Sequence, residues 1–276
     1  MKKPVIELRD VSKEFKMFRN NRDRMLNLIF RIRKVKDVRK GVENLNIKIN
    51  KGENVAIIGA SGAGRSVTAK LMSRYLYPTT GKVYIRGKVT ALFDLRSGFV
   101  TDFTGRYNLH TQASILGWSK EEIQQYEQEI IDFAELEDKI DKPLKVYDKG
   151  EPGRLGFAIQ TQKKPEILII DNPLIVGNYK SKQKCLGRIE EFRDDPEVTL
   201  VFATAMVNLA KRMCSRGIVL DEGRIVFDGY VDDACAFYKR TVLPKIMGKM
   251  EASVEEDEED PMDELGGDGD GYDDVL

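Results

Sequence analysis

Apolar and polar residues alternate across Val5-Ile6-Glu7-Leu8-Arg9-Asp10-Val11 and again across 42–49, which predicts two half-buried strands. The alternation then gives way to an unbroken apolar run, Val55-Ala56-Ile57-Ile58. A glycine-rich turn follows it, and then a segment that reads as helix from Val67 to Tyr75. Two short strands, 82–85 and 88–93, flank Arg86-Gly87. From about Arg106 to Ile140 the pattern is helical and charged; Pro143 and Asp148-Lys149-Gly150 end it, and another helix starts near Pro152. Glu166-Ile167-Leu168-Ile169-Ile170-Asp171 is a continuous apolar run ending in an acid, as expected of a strand covered on both faces in a parallel sheet. A helix over 180–193, a third buried strand over 199–203, a hairpin over 217–229 and a helix over 231–240 complete the pattern.

Residues 16–40 are rich in Lys and Arg, with Met25, Leu26, Leu28, Ile29, Phe30 and Ile32 among the charges, predicting an amphipathic basic helix around 22–34. Its apolar stripe could pack on the body of the protein, or it could meet a membrane protein or anionic lipid headgroups. The formal net charge of zero conceals an asymmetry. Thirteen of the 45 acidic residues lie in 251–276, where there is no basic one, so residues 1–250 carry 45 basic against 32 acidic side chains, a net of +13. With 33% charged residues the charges must stay largely outside the core, and the tail is too poor in apolar residues to fold alone. Its Gly266-Gly267-Asp268-Gly269-Asp270-Gly271 run lacks the ligand spacing and terminal Glu of a calcium loop. Cys185, Cys214 and Cys235 have no metal-like spacing and fit buried thiols in a reducing compartment. Met1-Lys2-Lys3-Pro4 leads straight into the strand pattern without a signal-peptide pattern, and no apolar run approaches the ~18–20 residues of a membrane span. A soluble chain is expected, with any membrane role supplied through a partner.

The turn after the apolar run is Gly59-Ala60-Ser61-Gly62-Ala63-Gly64-Arg65-Ser66. Strand, glycine-rich turn and helix in that order make a phosphate cradle, because glycines let the backbone curl until several N–H groups and the helix N-terminus face one anion. The stretch matches the phosphate-loop pattern G-x-x-x-x-G-K-[ST] except at Lys, where it has Arg65.

Taken in order, these pieces resemble the nucleotide-binding subunit of an ABC transporter, and within that family the branch that exports O-antigen, capsule and teichoic acid. The resemblance covers roughly residues 4–240. It rests on the phosphate loop, Thr104-Gly105-Arg106-Tyr107-Asn108-Leu109, Tyr147-Asp148-Lys149-Gly150, residues 167–177 and Asp221-Glu222-Gly223-Arg224-Ile225. It implies an α/β fold, a P-loop NTPase core of ABC type: a parallel sheet with flanking helices, N-terminal antiparallel strands and a helical subdomain over about 104–160. The domain would span 1–240 and the acidic tail 241–276. It further implies ATP and Mg²⁺ bound at a head-to-tail dimer interface, homodimeric or heterodimeric, docked on a membrane permease at the cytoplasmic face of the inner membrane. No nucleic-acid partner is expected, since the soluble ABC proteins of repair and translation usually carry paired ATPase domains. Residues 59–66 would cradle the phosphates, Ser66 and Asp171 would ligate Mg²⁺, and Phe15 would stack on adenine, with Phe18 second and core packing of both rings as the alternative.

Against this family pattern the chain departs where cleavage is performed. Arg65 keeps the loop's charge but not the compact ammonium. The residue after Asp171 should be Glu, the base for attacking water; it is Asn172, whose amide accepts no proton. The switch histidine is expected after the third buried strand, where Ala203-Thr204-Ala205 stands, with Thr204 at the position; the chain's single histidine is His110. Asp148 replaces the signature-loop Ser and would bring a carboxylate toward phosphate, costing about 1–4 kcal/mol at ~4 Å, with Lys149 as a compensating charge. Asp94 falls at the glutamine-loop position. The resemblance therefore implies either an exporter ATPase with impaired hydrolysis or a non-hydrolysing, nucleotide-gated scaffold for polysaccharide machinery, with helix 22–34 and segment 96–109 as permease contacts.

Overall fold

The computed structural model describes residues 3–17, 37–171, 179–245 and 247. The expected helix 22–34, Phe18, Asn172 and the acidic tail lie outside the described residues.

Two sheets face each other across one helix. The smaller is antiparallel, in the order β2 (Asp37–Ile49), β1 (Ile6–Met17), β4 (Thr80–Ile85). The larger runs β5 (Val89–Leu92), β6 (Ile167–Asp171), β7 (Thr199–Thr204), β3 (Asn54–Ile58), β8 (Arg216–Asp221), β9 (Arg224–Tyr230), parallel except for the last. Apolar runs at β3, β6 and β7 are explained by burial on both faces. Val55, Ile57, Ile167, Ile169, Val201 and Ala203 pack on one side with α1 (Arg65–Met72) and the antiparallel sheet. Ala56, Ile58, Leu168, Ile170, Leu200 and Phe202 pack on the other, with α5 (Tyr179–Asp194), α6 (Val207–Met213) and α7 (Val231–Phe237).

Inserted between β5 and β6 are α2 (Gly105–Ile115), α3 (Lys120–Ala134) and α4 (Glu151–Thr161). They enclose an apolar cluster of their own that includes Leu109, Ile123, Ile130, Leu155 and Ile159. Ser119 and Glu122 form a reciprocal capping box that starts α3. Among the described residues no helix is long and apolar enough to cross a membrane.

Several expected boundaries shift for physical reasons. The strands over 5–11 and 42–49 are longer, because register shifts near Asp10 and Asn44, both at positive φ, interrupt the period-two pattern. Strands 82–85 and 88–93 belong to different sheets. The helix after the glycine loop starts at Arg65, two residues earlier than expected, and ends at Met72. The helix expected over 231–240 is α7 followed by a π turn, Tyr238–Val242.

Candidate functional site

The glycine loop joins β3 to α1 at the C-terminal edge of the parallel sheet. A Cβ on Gly59 would stand 2.8 Å from the Leu220 carbonyl oxygen, so the loop leaves its strand hard against β8. Ala63 N–H donates to the Ala60 carbonyl (3.2 Å), and Gly64, at φ 99°, turns the chain into the helix without a side-chain cap. Gly62 is at φ 81° and a Cβ there would meet nothing within 4 Å. The loop is held from behind by the β8–β9 turn: Gly223 N–H donates to Ala63 O (3.2 Å), and Glu43 N–H on β2 donates to Gly223 O (2.8 Å). Ser61, Gly62 and Ser66 are exposed on the outer side, and the first turn of α1 carries no acidic residue, so its amide dipoles face solvent unneutralised.

The Arg65 Cγ lies 3.4 Å from where a Gly59 Cβ would be, so the stem of the side chain packs against the first residue of the loop. Nη1 is buried and hydrogen-bonds to none of the described residues. Burial pushes the guanidinium pKa down from its ordinary value, while the Asp171 carboxylate and the Tyr238 phenol oppose that shift. Tyr238, a nearly fully buried residue of the terminal π turn, had no sequence signal beyond its place in an apolar helix.

Asp171 closes β6, opposite Ala203 in the register, and Thr204 on β7 is opposite Ile58 on β3. Two strand spacings of ~4.8 Å therefore separate the Asp171 column from the root of the loop, about 10 Å. Thr204 is fully buried, and its Oγ1 accepts the Met206 N–H (3.0 Å). The first exposed position past the strand is Ala205, so neither residue offers an imidazole where the switch histidine was expected. His110 sits on α2, with Nε2 2.8 Å from Glu127 Oε2.

Phe15 belongs to none of the three apolar clusters of described residues. Its ring lies over Gly41, where a Cβ would be 2.7 Å from Cε2, and Lys13 Nζ is 5.5 Å from the ring centroid. Gly41 O in turn abuts Gly64, so the half-exposed ring flanks the end of the phosphate loop.

Asp94, just past β5, is exposed and engaged with its own loop, accepting the Arg96 N–H at Oδ1 (3.1 Å). Asp148 lies on the helical half, and its compensating cation is Lys139 rather than the neighbouring Lys149. Lys139 Nζ is 3.0 Å from Asp148 Oδ2 and 2.9 Å from Glu151 Oε1, while Asp148 N–H donates to Glu151 Oε2 (2.8 Å). The Lys139 bond holds the Asp148 carboxyl below its ordinary range. Because Glu151 is mostly buried and Lys139 is its nearest cation, Lys139→Met is expected to cost about 1–2 kcal/mol. Thermal denaturation would read this as a Tm lower by about 2–8 °C; an unchanged Tm would show the pair to be energetically idle.

Among the described residues no three His, Cys, Asp or Glu side chains gather to hold a metal. The donors fit a Mg²⁺–phosphate complex better than a bare ion, since Mg²⁺ is commonly held by one or two carboxylates together with substrate phosphates. An open amide cradle beside an unpaired buried guanidinium N–H likewise fits a polyphosphate.

The ABC transporter family profile matches residues 42–175. The O-antigen export system ATP-binding protein RfbB of Klebsiella pneumoniae is 33% identical over 87% of this chain and 99% of its own length. The teichoic acids export ATP-binding protein TagH of Bacillus cereus is 31% identical over 85% of this chain, which spans 42% of that protein. A dimeric ATP-binding cassette in a post-hydrolysis state, bound to ADP and Pi, superposes with a TM-score of 0.65 at 22% identity, covering 82% of this chain and 98% of that one. With the loop, the strand-end acid and the inserted helical cluster in their places, the chain belongs to the ABC transporter family and carries its ATP-binding domain.

Proposed function

We propose that this chain is the ATP-binding subunit of a polysaccharide exporter, at the cytoplasmic face of the inner membrane, in which nucleotide binding outlasts efficient hydrolysis. The observation that carries the reading is a contrast: the amide cradle is built and braced, while the sequence has Asn172 after Asp171 and Thr204-Ala205 at the end of β7, where the resemblance implies a base and an imidazole. Residues 59–66 would bind the phosphates of ATP, Ser66 and Asp171 would face Mg²⁺, and Phe15 would stack on the base. Bound Mg²⁺ would neutralise charge on the phosphate oxygens.

The permease partner is supported by segment 96–109. Val100, Phe103 and Tyr107 are 44%, 47% and 52% exposed there, and the two rings lie 4.5 Å apart. A family-type head-to-tail dimer would bring the Asp148 loop against the partner's phosphates. The second reading, a nucleotide-gated scaffold that does not cleave, is favoured by the same absent base.

Turnover of Mg-ATP by the purified protein, alone and with a co-encoded permease, separates the two, and a kcat of ordinary enzymes, about 1 s⁻¹ or more, would overturn impaired hydrolysis. Nucleotide binding is tested separately with fluorescent ADP. Arg65→Ala is expected to weaken it about 10–150-fold, since a charged donor contributes roughly 1.5–3 kcal/mol, and Arg65→Lys to retain most of it. Equal affinity of all three proteins would remove Arg65 from the site.

A further inference from the structure

The same rim that holds the glycine loop is where the described chain ends. After α7 and the π turn, Lys245 Nζ stands 3.8 Å from Asp221 Oδ2. Asp221 opens the β8–β9 turn, and two residues on, Gly223 N–H bonds Ala63 inside the phosphate loop. Tyr238, one helical segment before the exit, is close enough to Arg65 to act on its charge. Residues 251–276, which begin six positions beyond Lys245, carry 13 acidic side chains and no basic one.

Among the described residues, three acids of the rim they would meet already face cations. Glu43 is held by Lys40 (3.2 Å) and Arg224 (3.0 Å), Asp221 by Lys245, and Asp171 faces the Arg65 charge. Lys13, Lys16 and Arg39 line the adjoining β1–β2 edge beside Phe15, where Phe15 pairs with Arg39 and Glu14 with Lys40. Arg65 Nη1 is a buried donor without an acceptor. The acids at 255–260 lie 10–15 residues past Lys245, and ten residues of chain can reach at most about 33 Å, so the sequence separation allows a return to the loop.

We propose that the acidic tail docks on the phosphate-loop rim of its own chain and competes there with the phosphates of the nucleotide. The inference rests on the nucleotide-binding reading above and adds its regulation. Carboxylates are single, weak ligands for such a cradle, but a tethered segment acts at an effective concentration of about 1 mM, so modest contacts give a measurable, salt-sensitive competition.

Three proteins test it: the full chain, a chain ending at Met250, and a full-length chain with every Asp and Glu of 251–276 replaced by Asn or Gln. Fluorescent ADP is titrated at low and at high salt, and amide exchange of residues 59–66 is followed without nucleotide. Truncated and neutralised proteins are expected to bind about 3–10-fold more tightly at 50 mM salt and equally at 0.5 M, where the Debye length is only a few ångström. Their loop amides should exchange faster than those of the full chain. Equal affinities at low salt would overturn the proposal, as would tail-dependent protection found on residues 16–40 in place of 59–66. If none of the three binds nucleotide, the proposed function fails, and loop exchange alone then decides the tail: slower in the full chain supports docking, identical overturns it.

Discussion

Asn172→Glu is expected to raise steady-state phosphate release about 10²-fold or more, with nucleotide affinity unchanged, because a positioned general base contributes about 10²–10⁴ to such reactions. The position directly follows Asp171 at the end of a strand buried on both faces, and under the proposed function it is where a base for the attacking water would stand. An amide oxygen can align that water but cannot take its proton. The gain should stop short of the upper figure, since Arg65, Asp148 and the missing imidazole remain as they are. Asn172→Gln is the control, having the length of Glu without its charge. A Glu variant no faster than the Gln variant would place the block to hydrolysis elsewhere, with Asp148 as the next position to change. The same measurement separates a slow exporter ATPase from a scaffold, for a cleft that never closes on ATP gains nothing from a base.

Much of this site was readable from the sequence because its parts are local. The apolar run before Gly59, the glycine spacing and the acid ending β6 each follow from a single segment whose chemistry needs no neighbour to interpret. What the sequence did not reveal depends on segments far apart in the chain. Lys139 rather than Lys149 neutralises Asp148, because the turn before the short 3-10 segment Leu144–Val146 brings the end of the α3 connection back beside α4. Tyr238 comes near enough to act electrostatically on Arg65 only once α7 is laid on the parallel sheet. Strands β4 and β5 look like neighbours in sequence, yet β4 pairs with β1 and β5 with β6. Periodicity shows that a strand has two faces; it does not show which sheet takes it. Thr204 illustrates a finer limit, since one residue decides whether a side chain lies inside a strand or beyond its end.

The glycines of the loop offer the second large effect, through a comparison of two positions with similar backbone and different surroundings. Gly64→Ala is expected to lower nucleotide affinity at least 10²-fold, and Gly62→Ala less than tenfold. Both glycines have positive φ, 99° and 81°, so both substitutions carry the conformational cost of about 1–2 kcal/mol that a Cβ brings there. Only Gly64 adds a collision: its Cβ would stand 2.7 Å from both Gly41 O and Val42 Cγ1. Neither gives way cheaply, for Val42 is buried in β2 and the Gly41 carbonyl is backbone. Overpacking of this kind typically costs 1–3 kcal/mol, and the strain is relieved most readily by displacing the loop, whose hold on Gly223 is a single 3.2 Å hydrogen bond. A loop so displaced loses the convergence of its N–H groups, and each 1.4 kcal/mol lost is a factor of ten in binding. Fluorescent ADP titration reads the affinities, and thermal denaturation checks that both variants are folded. Equal losses at the two positions would mean that backbone conformation alone governs the cradle and that its packing on β2 is incidental. A larger loss at Gly64 ties phosphate binding to the strand that also carries Gly41, and through it to Phe15, so that the base and phosphate ends of the nucleotide would be held by one rigid corner of the fold.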